Sequence, residues 1–307
     1  MTIELFIEQL LNGLQFGFML FLMSAGLTLI FGVMGLINLA HGSFYMIGAF
    51  SAAAIAAAFG SFWFSLLASL IVAAVAGVIV EILVIRRLYG RDHLDQVLAT
   101  FALILLFSES VRWMFGAYPL YLDVPDVLSG SVQIIGGIYY SKYRLFIILV
   151  GLLLAVLLFL IIGKTNFGVQ IRAGQHDREM ISALGVDISR LYTFLFGIGA
   201  ALAGLAGALV GTIQSVEVGM GEPVLILAFV VIVIGGIGSI KGALVASLIV
   251  GCVDTMGRFL LPWLLTNLTD PSTAMSMGSA IASMLIYVLM AIILIVRPTG
   301  LFGKGLA

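Results

Sequence analysis

The longest stretch without a formal charge constrains the fold of this chain more than any other feature. No Asp, Glu, Lys or Arg occurs between Glu8 and Glu81, a run of 72 residues, and only 9% of the 307 residues are charged. Soluble domains carry roughly 25% charged residues, and one bilayer span needs about 20 mostly apolar residues. The run therefore predicts two or three membrane spans. Soluble enzymes, disordered chains and nucleic-acid-binding proteins are disfavoured.

Further apolar segments follow along the rest of the chain. Helices are predicted over Leu10–Val33, Ser43–Phe59, Phe62–Ile85, Leu94–Phe115, Leu145–Gly163, Leu191–Ile213, Val224–Ile234, Ala243–Met256 and Met277–Val296. Val224–Ile234 and Ala243–Met256 are short, so each is either a half-helix or part of one bent span. We expect an all-α, polytopic membrane protein with about eight to ten transmembrane or half-membrane helices. Residues 1–307 form one domain in this interpretation, and the first span is retained rather than cleaved as a signal peptide.

The basic residues predict the orientation, because Lys and Arg collect in cytoplasmic loops. Nine of them can share the cytoplasmic side: Arg86, Arg87, Arg91, Lys164, Arg172, Arg178, Arg190, Arg297 and Lys304. Three fall on the opposite side: Lys142, Arg144 and Arg258. Arg112 and Lys241 stay unassigned. We expect a multi-pass membrane protein with a cytoplasmic C-terminus, while the side of the N-terminus is left open.

Polar residues interrupt the first apolar run. Asn38, His41 and Ser43 lie in the sequence Asn38-Leu-Ala-His-Gly-Ser43, at a position that corresponds to membrane depth. Polar groups there are costly unless they pair or line a wet cavity, and transporters hold solutes at such broken helices. Two interpretations stay open: Asn38 and His41 contact a solute, or they only cap helix ends.

A second interruption, rich in glycine, lies in the other half of the chain. Its sequence is Gly235-Gly-Ile-Gly-Ser-Ile-Lys-Gly242. Interrupted short segments in both halves indicate an internal pseudo-repeat and a translocation path. The candidate path residues are therefore Asn38, His41, Gly42, Ser43, Gly235, Gly236 and Gly238. Small residues, such as the Gly207–Gly211 pair, predict close helix packing within one bundle or, alternatively, a dimer interface.

The loop of about 164–190 is the only sizeable polar stretch assigned to the cytoplasmic side. Asp177 suits an N-cap and Gly185 a C-terminal stop, so a short helix is predicted over about Arg178–Leu184. The apolar face of this helix has to be buried against one of three surfaces: the bilayer, the protein's own bundle or the groove of a partner. The face and its charged rim comprise Arg172, Asp177, Arg178, Glu179, Met180, Ile181, Leu184 and Gly185.

Several motifs together resemble the permease subunits of branched-chain amino acid ABC importers. They are Asn38-Leu-Ala-His-Gly-Ser-Phe-Tyr-Met-Ile-Gly-Ala49, Ile171-Arg-Ala with Ala183-Leu-Gly-Val186, Val233-Ile-Gly-Gly-Ile-Gly-Ser-Ile-Lys-Gly-Ala243 and Arg297-Pro-Thr-Gly-Leu301. The resemblance covers nearly the whole chain and implies a location in a bacterial cytoplasmic (inner) membrane. It implies a second related permease, two cytoplasmic ATPase subunits and an extracytoplasmic amino-acid-binding protein as partners. It also implies that the short helix of the 164–190 loop is the coupling helix docked on an ATPase.

The sequence offers no catalytic constellation and no metal site. The stretch Gly163-Lys164-Thr165 is similar to the end of a phosphate-binding loop, but Leu158 replaces the required glycine, so ATP and Mg²⁺ are expected on the partner subunits. Two other classes remain as alternatives. An ion-coupled carrier or channel needs buried acids, for which the candidates are Glu81, Glu109 and Asp254. An intramembrane enzyme is disfavoured. Within the importer interpretation, urea or a short amide is an alternative solute.

Overall fold

Helices account for most of the chain in the computed structural model, which describes residues 3–134 and 137–303. The described residues form eleven α-helices: α1 Ile3–Met34, α2 His41–Phe59, α3 Phe62–Leu83, α4 His93–Phe115, α5 Lys142–Lys164, α6 Asn166–His176, α7 Arg178–Ala183, α8 Ile188–Val210, α9 Gly221–Gly235, α10 Ile240–Leu265 and α11 Pro271–Val296. Two short antiparallel strands, β1 Ser131–Gln133 and β2 Tyr139–Ser141, precede α5. Lys304 and the side chain of Arg178 lie outside the described part.

Eight of these helices are long and apolar enough to cross a bilayer: α1 to α5, α8, α10 and α11. The prediction of an all-α polytopic membrane protein is confirmed. Helix α9 has 15 residues, which gives it a length of about 22 Å, short of a hydrocarbon core of about 30 Å. The half-helix interpretation therefore holds for this segment.

The prediction of a short segment over Ala243–Met256 was wrong. Helix α10 runs for 26 residues to Leu265 and includes Pro262. Asp254 and Arg258 did not end the helix, because they form an ion pair one turn apart along it, with Nε of Arg258 2.9 Å from Oδ1 of Asp254. Pairing lets a helix carry charges at this depth.

Small residues set the close packing of the helices. A Cβ on Gly26 of α1 would lie 2.6 Å from the carbonyl oxygen of Gly199 in α8, and one on Gly17 would lie 2.9 Å from the oxygen of Ser247 in α10. Gly207 packs against the backbone of Tyr45 in α2. These contacts confirm that the glycines of α8 serve packing within this bundle, where close backbone approach replaces the hydrophobic effect.

The connections divide between two ends of the bundle. At one end, Nη2 of Arg86 lies 2.7 Å from Oγ1 of Thr193 and joins the end of α3 to the start of α8, and Gly163, Arg172 and Phe302 line one shared cavity. We call this the basic end, because it holds Arg86, Arg87, Arg91, Lys164, Arg172, Arg190, Lys241 and Arg297. The grouping predicted from charge is thus reproduced, and Lys241 joins it, whereas Arg112 lies toward the opposite end.

Candidate functional site

The connection between α1 and α2 turns back into the bundle. Helix α1 ends at Met34 and α2 begins at His41. Nε2 of His41 lies 3.3 Å from the carbonyl oxygen of Met23, which is about 16 Å along α1 from Met34. Residues 35–40 therefore lead back alongside α1, and α2 starts inside the bundle. The predicted break is present, and it places His41, Gly42 and Ser43 in the first turn of α2.

Polar atoms without partners are concentrated at this break. Asn38 and His41 are fully buried. Within the described residues, neither the Oδ1 nor the Nδ2 atom of Asn38 has a hydrogen-bond partner, and the same holds for Nδ1 of His41 and Oγ1 of Thr28. Among the residues that the structure describes, no side chain caps the N-terminus of α2, whose N-cap is Ala40. An unpaired buried polar group costs about 1–3 kcal/mol, so such a group calls for an explanation in function or conformational change.

The glycine-rich interruption lies elsewhere, at the basic end. Gly236 and Gly238 have positive φ, at 98° and 77°. The backbone N–H groups of Leu301 and Phe302 donate to the carbonyl oxygens of Ile234 and Gly235, at 2.8 and 3.0 Å. The interruption therefore receives the C-terminal segment of the chain. The structure does not bring Gly235, Gly236 and Gly238 together with Asn38 and His41.

The N-terminus of α9, rather than its C-terminus, meets the first break. A Cβ on Gly42 would lie 2.7 Å from the carbonyl oxygen of Gly221, which is the first residue of α9. Helix α2 runs from this point toward the opposite end, and α9 runs from it toward the basic end. Both helix N-termini carry partial positive charge. Gly221 was not among the predicted path residues, although the close spacing of Gly219 and Gly221 was a usable signal.

The polar loop at the basic end forms two helices, of which one was predicted. Helix α7 agrees with the prediction, with Oδ1 of Asp177 accepting from the backbone N–H of Met180 at 2.9 Å and with Gly185 at a φ of 88°. Helix α6 was missed. Its Arg172 donates to the carbonyl oxygen of Ile162 and so binds α6 to the end of α5.

The three apolar side chains predicted to share one face of this loop are divided by the structure. Ile181 is 5% exposed, whereas Met180 is 60% and Leu184 is 77% exposed. Ile181 therefore anchors α7 to the bundle. Met180 and Leu184, which we call the α7 patch, face away from the bundle, with Glu179 exposed beside them.

A buried carboxylate joins the start of α8 to α3. Glu81 is fully buried and accepts hydrogen bonds from Nη2 of Arg86 at 2.9 Å, from the Tyr89 hydroxyl at 2.7 Å and from Oγ1 of Thr193 at 2.7 Å. The hydrogen bond to Glu81 raises the pKa of Arg86, and burial raises the pKa of Tyr89. Thr193 lies near the start of α8, which one short connection joins to α7. We call these four residues the Glu81 network.

The three acidic candidates for an ion-coupled carrier are all paired with arginine. Glu81 pairs with Arg86, Glu109 with Arg112 and Asp254 with Arg258. Each carboxylate already has a guanidinium partner and so is not left open to coordinate a coupling ion. This arrangement favours structural roles for all three.

The opposite end brings two distant connections together. Leu120 follows α4 and Val216 precedes α9, and their backbones bridge through hydrogen bonds of 3.0 and 2.8 Å. Tyr118 and Tyr121 stand beside this bridge with exposed side chains, at 86% and 75%. The end therefore presents an aromatic and acidic surface, to which Asp123 and Glu217 add exposed carboxylates.

Comparison with known proteins gives a consistent result. Residues 9–296 match the family model described as the permease component of the branched-chain amino acid transport system. The high-affinity branched-chain amino acid transport system permease protein BraD of Pseudomonas aeruginosa is 30% identical, over 97% of this chain and 96% of that protein. The corresponding LivH protein of Salmonella typhimurium is 28% identical over the same shares.

A second permease of the same organism also matches. The LivM protein of Salmonella typhimurium is 28% identical over 74% of this chain and 59% of its own length. No solved structure gives a significant match. The urea or short-amide alternative finds no support in these relatives.

Proposed function

The chain belongs to the family of branched-chain amino acid transport system permease components, and we propose from this premise that it forms half of the translocation path of an ATP-driven importer for branched-chain or related amino acids. Eight apolar helices of spanning length support a multi-pass membrane protein. Relatives that match nearly the full chain are named as branched-chain amino acid transport permeases, which supports the solute class. The exposed α7 patch is the observation that carries the proposal, because it offers an apolar surface to which an ATPase subunit can bind.

The partners follow from what one such chain lacks. Its sequence offers no phosphate-binding loop, so ATP and Mg²⁺ bind two separate cytoplasmic ATPase subunits in this proposal. A second, related permease completes the path. Because LivH and LivM of one organism both match this chain, a heterodimer of permeases is favoured over a homodimer. An extracytoplasmic amino-acid-binding protein supplies the solute.

The basic end faces the cytoplasm in this proposal, because Lys and Arg collect there. The α7 patch then projects into the cytosol, where Met180 and Leu184 insert into a groove of an ATPase subunit. The binding protein docks at the opposite end, where Tyr118 and Tyr121 stand exposed beside the Leu120–Val216 bridge.

Force from the ATPase reaches the bundle through two contacts. Ile181 packs α7 against the protein, and the Glu81 network ties the start of α8 to α3. When ATP binding moves α7, α8 and α3 move together, and the bundle alternates between outward and inward access. ATP supplies the free energy, and this chain supplies the gated path.

The solute passes the break between α1 and α2. Asn38 and His41 supply a few polar groups in surroundings that are otherwise apolar. The path needs no tight site, because the binding protein selects the solute. Leucine-like side chains cross such a lining with little desolvation cost.

Reconstitution tests the proposal. The chain is co-expressed with its second permease, ATPase and binding protein, purified through a tag on this chain and placed in proteoliposomes. We expect the ATPase subunits to co-purify, and we expect uptake of labelled leucine that requires both ATP and the binding protein. Uptake by the chain alone, driven by an ion gradient, would establish the carrier alternative instead.

A further inference from the structure

A cavity at the basic end is not used by the proposed path or by the α7 patch. It has a volume of about 580 Å³ and lies between α5 and α10, with α1 behind it and α6 beside it. Leu29, Phe159, Ile162 and Phe302 supply apolar walls, whereas Arg172, His176 and Lys241 supply basic groups. We propose that this cavity binds an anionic phospholipid, with the phosphate held by Lys241 and Arg172.

The charges of the cavity select for an anion. None of the described residues that line it is acidic, and neither Lys241 nor Arg172 forms an ion pair within the described part of the chain. Arg172 donates one N–H to the end of α5, which fixes its guanidinium at the rim while its other donors remain available. The first turn of α10, which the Ser239 hydroxyl caps by accepting from the Gly242 N–H, adds the positive end of a helix dipole, which favours negative charge.

The position of the cavity corresponds to the level of lipid headgroups. Helix α5 ends at Lys164, α1 ends at Met34 and α10 begins at Ile240, so three spans reach their limits around it. Helix α6 is amphipathic, with Ile171 buried and Arg172 exposed, as expected for a helix in the membrane interface. Basic pockets between spans on the cytoplasmic side are suited to anionic headgroups.

An apolar stripe leads from the cavity along α5. Leu152 and Val156 are exposed. They share one helix face with Phe159 and Gly163, which line the cavity. Acyl chains can therefore lie along the stripe while the headgroup occupies the basic pocket. This continuity of apolar stripe and basic pocket favours a lipid over a free anion or an acidic peptide.

Native mass spectrometry of the purified permease–ATPase complex tests the proposal. The complex is delipidated in detergent and titrated with phosphatidylglycerol or with phosphatidylcholine of the same acyl chains. We expect preferential retention of phosphatidylglycerol. Lys241→Gln should lower its occupancy about fivefold, the factor that corresponds to about 1 kcal/mol for one basic residue near a membrane surface. Arg91→Gln is the matched control, since Arg91 lies at the same end outside the cavity, and it should leave occupancy unchanged.

A second variant fills the cavity without removing charge. Gly163 lines it, and a Cβ there would meet no described atom within 4 Å, so Gly163→Trp can occupy the space while the helix stays intact. We expect loss of the bound lipid from a complex that remains monodisperse. Equal retention of the two lipids, or unchanged occupancy in both variants, would overturn the proposal. Release of ATPase subunits with unchanged lipid would overturn it as well, because the cavity would then hold a segment of the ATPase.

Discussion

The backbone of Gly204 in α8 lies so close to Gly48 in α2 that a Cβ atom on Gly48 would overlap the carbonyl group of Gly204. Gly42 makes a comparable approach to Gly221 at the start of α9. Helix α2 is therefore held by backbone contacts near its start and near its middle. Such contacts have no flexible side chain that could move aside.

Replacing Gly48 by alanine is expected to destabilise the protein. Overpacking against a rigid neighbour costs about 1–3 kcal/mol, which exceeds the gain of about 1 kcal/mol from better helix propensity. The apparent melting temperature in detergent should fall. Gly163→Ala is the matched control, because its added methyl group meets open space, and it should keep or raise the melting temperature. A stable Gly48→Ala protein would show that α2 and α8 are not packed as described.

The Glu81 network should be a strong determinant of stability. Glu81→Gln leaves the guanidinium of Arg86 without its carboxylate, and breaking a buried pair costs about 3–5 kcal/mol. The Arg86 side chain is 38% exposed, so water solvates part of its charge. The loss of stability should therefore lie near the lower end of this range. Glu109→Gln removes an exposed pair and should change stability by less than about 1 kcal/mol. Equal midpoints of thermal unfolding for the two variants would contradict this ranking.

The helical spans could be predicted from the sequence because lipid leaves few options. A long apolar run without charges has to form a helix that satisfies its own backbone. The ends of the helices were less predictable where charged residues occur inside a span, as at Asp254 and Arg258. Two charged residues four positions apart can pair on a helix but can equally lie in a loop, so their spacing alone does not show whether the helix continues. Helix α6 was missed because its polar composition resembles that of a connection.

The site was only partly predictable, because distance in sequence does not report distance in the bundle. Asn38 and His41 stood out as polar residues in an apolar run, and the break is where they predicted it. Gly235, Gly236 and Gly238 also interrupt an apolar run, but this interruption binds the C-terminal segment of the chain and does not meet the break. Gly221, which does meet the break, lies between Gly219 and Glu222, a composition that is also typical of a connection between helices. Only the fold reveals that the starts of α2 and α9 converge.

Replacing Asn38 by leucine should separate stability from transport. The change removes two buried atoms that have no partner in the described structure, so stability should rise, by up to about 1–3 kcal/mol. ATP-driven uptake should fall about tenfold if one solute hydrogen bond of about 1.4 kcal/mol is lost. Ser24→Ala is the control, since the Ser24 hydroxyl donates within its own helix, and it should leave uptake intact. Normal uptake by Asn38→Leu would remove Asn38 from the path.

The exposed tyrosines at the opposite end should affect capture of the binding protein. Tyr118→Ala with Tyr121→Ala removes large aromatic surfaces without disturbing the Leu120–Val216 bridge, which uses backbone atoms alone. The binding-protein concentration for half-maximal uptake should rise about tenfold, which corresponds to about 1.4 kcal/mol. Leu268→Ala, at an exposed position between α10 and α11, should have no effect. An unchanged half-maximal concentration in the double variant would move the docking surface elsewhere.

The α7 patch gives the most direct test of coupling to an ATPase. Met180→Asp with Leu184→Asp places two charges where an apolar groove is expected, and a buried unpaired charge costs several kcal/mol. Because both side chains already face away from the bundle, the permease itself should keep its melting temperature. ATPase subunits should no longer co-purify, and uptake should stop. Ser182→Asp adds a charge to an exposed position of the same helix outside the patch and should retain both. If the double variant still binds the ATPase and transports, α7 does not couple it.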